Sequence, residues 1–167
     1  MERSATNDWL AVLGHPAGLS WVLANRRLAF EAARSREVKR LHAGDRVLLY
    51  AAKAAYKPAG PGGVIGSAVA ATGVAALHEA LTIERRDYTL GAELDVQVVM
   101  PYRESVEIPP LLDQLRTFPQ YGPRSWMTIL RRPLLRLMPG DADVLLDALK
   151  GVAKPPDEVI PEYVGAG

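Results

Sequence analysis

Apolar and polar positions alternate in short runs along this chain, so the pattern predicts many brief elements. Residues 8–13 (DWLAVL) read as a first strand, broken by Gly14, His15, Pro16 and Gly18. Ser20 is placed to cap a helix over 20–33, in which Trp21, Leu28 and Ala32 fall near one stripe and Asn25 stands four residues after Trp21. Ser35 caps a second short helix over 35–43, and Gly44 suits its left-handed exit. The stretch 41–73 organises the rest. A Gly-Asp turn launches the apolar run 47–50, a Gly/Pro loop spans 53–63, and 63–71 (GVIGSAVAA) returns as a second strand. That loop exceeds the 2–5 residues that join most hairpins.

Beyond Gly73 the pattern weakens, with strand and turn expected around 82–88. The clearest strand is 93–100. There Leu94, Val96, Val98 and Met100 alternate with Glu93, Asp95, Gln97 and Val99, the period of a half-buried antiparallel strand. Residues 105–108 are placed to pair at its end. Pro109 and Pro110 suit the first turn of a helix over 109–117, and 125–130 stays open between strand and helix. Residues 133–138 (PLLRLM) read as a last strand, at an edge because of its leading proline. Asp141 caps a final helix ended by Gly151. The expected organisation is one domain over 1–151 and a Pro-rich, loosely ordered tail over 152–167. Strands dominate without a regular strand–helix rhythm. The expected class is α+β, a small mixed or antiparallel β-barrel decorated by short helices.

Composition narrows the chemistry. The 167 residues are about one domain's worth and include no cysteine, which excludes disulfides, thiolate catalysis and cysteine-based zinc sites. No apolar run approaches the ~20 residues of a membrane helix, and the N-terminus carries no apolar signal core, so a cytoplasmic protein is expected, with no membrane partner. Net charge is +1 but uneven: 26–40 holds six basic residues against two acids, and 124–136 holds four arginines and no acid. Such segments suit phosphates, or are simply solvated faces. His15, His42 and His78 show no metal-ligand spacing, Ser67 lies in a strand pattern, and GPGGVIG lacks the Gly-Lys-Ser/Thr of a phosphate loop. No catalytic residue, metal or cofactor is expected.

An ordered set of pieces is similar to the EVE domain, a branch of the PUA-like barrels related to YTH and ASCH domains. They are WLAVLG, WVLANRRLAFEAAR, GDRVLLYAAK, GGVIGSAVA, LDVQVVMPYRESVEIPPLL and ILRRPLLRLMPGDADVLLDAL. The resemblance implies a reader of a modified, for example methylated, base of DNA or RNA. It implies a base pocket of Trp21, Asn25, Tyr50, Lys53 and Trp126, with phosphate contacts from Arg26, Arg27, Arg34, Lys57 and Arg124. Core packing is the rival role for Trp21, Tyr50 and Trp126, and plain solvent exposure for the loop lysines. Where the family continues its tyrosine with His and Ser, this chain has Ala51 and Ala52. The alternatives are an ASCH-like hydrolase using Lys53 with Glu79 or Glu93, or a pocket for a small metabolite or a protein. The sequence leaves the oligomeric state open.

Overall fold

The computed structural model describes residues 6–166, so the first residues of the expected signal-free N-terminus lie outside it. The strands are β1 (Asp8–Leu13), β2 (Arg27–Phe30), β3 (Arg46–Ala51), β4 (Gly63–Ala70), β5 (Ala75–Ile83), β6 (Arg86–Val99) and β7 (Leu134–Arg136). The helices are α1 (Pro16–Asn25), α2 (Ser35–Val38), α3 (Asp141–Leu149) and α4 (Pro156–Ala166), joined by short 3-10 segments. The class is α+β, as the apolar pattern predicts.

One sheet runs β2-β6-β4-β3-β1-β7, with β5 hairpinned onto β6, and curls into a half-barrel. β1 and β3 are parallel and end side by side, Leu13 against Ala51. The other pairings are antiparallel. Val47, Leu48, Leu49, Leu10, Val64 and Ile65 are fully enclosed and form the centre of the core. At the head of β3, buried Asp45 accepts hydrogen bonds from the Trp9 indole (2.9 Å) and the backbone N–H groups of Asn7 (3.0 Å) and His42 (2.9 Å).

Several local expectations are corrected. The first helix begins at Pro16 and stops at Asn25, because Arg26 takes the left-handed conformation (φ 52°) and turns 27–30 into a strand. Ser20 therefore caps nothing; its hydroxyl donates to the Tyr163 carbonyl (3.0 Å). Asp141 does not cap α3 with its side chain. Its buried carboxylate accepts from the backbone N–H groups of Arg116 and Thr117 instead. In β6 the alternation changes phase. Ser67 faces Val98 but Ala68 faces Val96, so Gln97 is an extra residue, and Val99 is buried where an outward position was expected.

The expected loose tail is also corrected. Residues 156–166 form α4, which packs against α1 and buries Val159, Ile160 and Tyr163. The Tyr163 hydroxyl donates to the Met100 carbonyl (2.6 Å), fastening the helix to the end of β6.

Beside the phase change, β4 and β6 approach so closely that a Cβ on Gly66 would lie 2.5 Å from the Val98 carbonyl oxygen. The obstacle is paired backbone, which cannot swing away as a side-chain tip can. Gly66→Ala is expected to destabilise by about 1–3 kcal/mol, measured as a lower urea midpoint with an unchanged m-value.

Candidate functional site

The parallel ends of β1 and β3 set the site. The chain leaving β1 enters the Gly14–Gly18 turn and α1; the chain leaving β3 enters the 3-10 turn Lys53–Ala55. Each exit borders a cavity. The first cavity, about 230 Å³, lies between the start of α1, the end of β2 and the β5–β6 hairpin. Trp21, Phe30 and Tyr88 supply its rings, with Arg34, Arg86, Arg131 and Arg132 around it. The second, about 620 Å³, lies between the end of β3 and the 3-10 segment Ser125–Arg131. Tyr50 and Trp126 line it, with Lys53, Arg124, Arg131 and Glu107. Val12, Leu130 and Arg131 belong to both walls, so the two hollows adjoin.

The expected pocket is thus divided. Tyr50, Lys53, Arg124 and Trp126 share the larger cavity; Trp21 and Arg34 line the smaller. Asn25 joins neither. Its amide donates to the Trp21 carbonyl (2.9 Å) at the C-terminal turn of α1, and it borders a third groove with Trp21, Arg27, His78 and Glu79. Of the expected phosphate contacts, Arg26 is ion-paired to Asp157, Arg27 to Glu93 (2.8 Å) and Arg34 to Glu37 (3.5 Å). Lys57 lies elsewhere, beside Tyr102 and Tyr163. The carboxylate beside Lys53 is Glu107; Glu93 is held by Arg27 and Glu79 borders the Asn25 groove, so neither forms the expected pair with Lys53.

Two arginines missed from the sequence, Arg131 and Arg132, join the expected Lys53 and Arg124 in carrying the charge. Among the described residues, Lys53, Arg124, Arg131 and Arg132 have no carboxylate within ion-pair distance, so the basic rim is largely uncompensated. The Arg131–Arg132 doublet in an acid-free stretch was the available signal. His15, which lines the smaller cavity and faces Glu84 at 3.3 Å, gave none beyond its place in a Gly/Pro turn.

Both cavities offer hydroxyl donors. Burial, and then Glu107, push the Tyr50 phenol up to about 12. Burial raises Tyr88 too; Glu31 adds to this and Arg86 opposes it. Both phenols therefore stay protonated at neutral pH. Glu31 and Glu107 add acceptors, so a planar ring with an exocyclic amine would find partners of both kinds. Among the described residues, no three His, Asp or Glu side chains gather closely enough to hold a metal ion.

No family model matches the chain, and no curated protein matches its sequence. Solved structures do resemble it. The Mmi1 YTH domain in complex with RNA aligns at a TM-score of 0.57 and 9% identity, over 89% of this chain and 84% of that one. The Mmi1 YTH domain in a second structure gives 0.54 at 8% identity, over 86% and 77%. A hypothetical protein from Leishmania major gives 0.53 at 13% identity, over 88% and 96%. At such identities the likeness is one of architecture: the chain has a YTH-like fold, a curled half-barrel sheet with short helices around it.

Proposed function

We propose that this protein is a nucleic-acid-binding module of the EVE and YTH kind that reads a modified base. The observation that carries this reading is the pair of adjoining cavities, ringed by aromatic side chains and by four cations, Lys53, Arg124, Arg131 and Arg132, that lack acidic partners among the described residues. The smaller hollow takes the flipped base against Trp21, with the Tyr88 hydroxyl and Glu31 facing its edge. The larger one takes the adjoining nucleotide between Tyr50 and Trp126. Lys53, Arg124, Arg131 and Arg132 hold phosphates along the shared rim. Extruding a base forfeits its stacking, and an aromatic wall returns part of it, about 1–3 kcal/mol per base. The likeness to a YTH domain solved with RNA supports the reading.

The test is a titration by fluorescence anisotropy. The probes are labelled nine-nucleotide single strands: RNA with or without N6-methyladenosine, and DNA with or without 5-methylcytosine. A modified strand is expected to bind more tightly than its plain counterpart, and binding is expected to weaken steeply between 50 and 200 mM salt. Trp21→Ala is expected to erase the preference for the modified strand. Trp126→Ala is expected to weaken modified and plain strands alike, by roughly five- to hundredfold. No binding to any strand at 50 mM salt would reject the proposal.

A further inference from the structure

The rim of the larger cavity continues into the loop 119–124, whose most prominent residue is Tyr121, 94% exposed. Tyr121 lines neither cavity. A large ring left in water is often a loop's accident, but this loop is pinned on both sides. The Ser125 hydroxyl donates toward the carbonyls of Pro119 (3.1 Å) and Gly122 (2.9 Å) and accepts from the Gly122 N–H (3.1 Å). The Gln120 amide donates to the Leu112 carbonyl (2.8 Å), and Phe118 is buried in the core. The residues on either side of Tyr121 are thus anchored, and its ring is held out from a fixed base. Three residues on, Arg124 begins the wall of the larger cavity, which Trp126 and Met127 continue. Charge points to the occupant. From 114 to 140 the chain carries five arginines and no acid, a surface suited to a polyanion.

We propose that Tyr121 is a stacking platform for an unpaired nucleobase further along the bound strand, outside both cavities. A phenol ring stacks on any base, so the platform adds affinity with little sequence preference. It makes the protein favour strands long enough to reach past the larger cavity. The proposal rests on the base-reading role of the cavities, and the experiment separates the two.

Wild type, Tyr121→Ala and Tyr121→Phe are titrated with the tightest modified nine-mer from the panel above and with its modified mononucleotide alone. Tyr121→Ala is expected to lose roughly five- to hundredfold affinity for the nine-mer and none for the mononucleotide. Tyr121→Phe is expected to behave as wild type. All three are expected to melt together, because the ring is exposed. If wild type binds the nine-mer and Tyr121→Ala binds it equally well, the platform is refuted while the cavities keep their role. If Tyr121→Ala weakens the mononucleotide as much as the nine-mer, the ring acts through the cavity and the platform is again refuted. If Tyr121→Ala instead abolishes self-association seen by sedimentation, leaving nine-mer binding intact, the ring is a protein contact and the proposal fails. If wild type binds no strand, the reading of the cavities falls and takes the platform with it.

Discussion

Asp45→Ala is expected to lose about 3–5 kcal/mol of stability, a large share of the 5–15 kcal/mol typical of a domain. Asp45 is only 3% exposed, and its two oxygens serve three donors from two parts of the chain. Asn7 and Trp9 belong to the start of β1; His42 belongs to the turn before β3. The carboxylate therefore ties together the heads of the parallel pair whose far ends open onto the cavities. Removing it strands an indole N–H and two backbone N–H groups, each costing about 1–3 kcal/mol where water cannot reach it. At about 2–4 °C per kcal/mol for a chain of this size, the melting temperature falls on the order of 10 °C, readable by circular dichroism. Asp45→Asn keeps one acceptor oxygen and is expected to fall midway. An Asp45→Ala protein that melts with wild type would mean that the carboxylate carries no structural role.

Stability is expected to collapse between pH 10 and pH 12, ahead of any loss of backbone integrity. Tyr50 and Tyr56 are each pushed up to about 12, and Tyr163 is raised further still. Burial is the first cause in all three. Glu107 adds to it at Tyr50; at Tyr56 the neighbouring Tyr102 adds to it and Arg103 opposes it. The unfolded phenol titrates near 10. Below that pH both states hold the proton and folding keeps its full stability. Between 10 and 12 the unfolded chain releases protons that the folded chain retains, so stability falls as pH rises, by about 1.4 kcal/mol per unit for each phenol. Melting temperatures measured from pH 8 to pH 12 are expected to be flat at first and then to drop steeply. Tyr56→Phe supplies the control. Its hydroxyl is buried with no partner among the described residues, so removing it is expected to leave stability at pH 7 unchanged or slightly raised and to flatten the alkaline slope. Tyr163→Phe is also expected to flatten that slope, at a loss of about 1 kcal/mol at pH 7 for the bond to Met100.

The sheet centre was legible because its strands need only one property. β1, β3 and β4 are short, nearly unbroken apolar runs between turn residues, and burial on both faces leaves that signature. β5 was obscured because AALHEALTI has a helical composition; its pairing with β6, rather than its own preference, makes it a strand. The stop of α1 depends on one left-handed arginine, which composition does not mark. The last helix was hidden behind Pro155, Pro156 and Pro161. What orders it is distant, namely the packing against α1 and the Tyr163 bond to Met100. The site was legible in its chemistry more than in its grouping. Tyr50, Lys53, Arg124 and Trp126 meet across 76 positions of sequence, while Asn25, only four residues from Trp21, reaches neither cavity and shares with Trp21 only the groove beside β5. Register at the end of β3 and the early stop of α1 decide that division, and neither is local. Arg26 shows the limit most plainly, since the acid that neutralises it, Asp157, stands in the supposed tail.

The place of β1 has a consequence for how the chain is made. This strand lies between β3 and β7, and β7 is not present until residue 136 has been added. Between the appearance of its first and second neighbours, a ribosome must deliver some 85 further residues. Over that interval this apolar segment has an open flank. The sheet therefore gains its last strand only after residue 136 has been made, and until then the exposed edge is the point at which a chaperone would be needed.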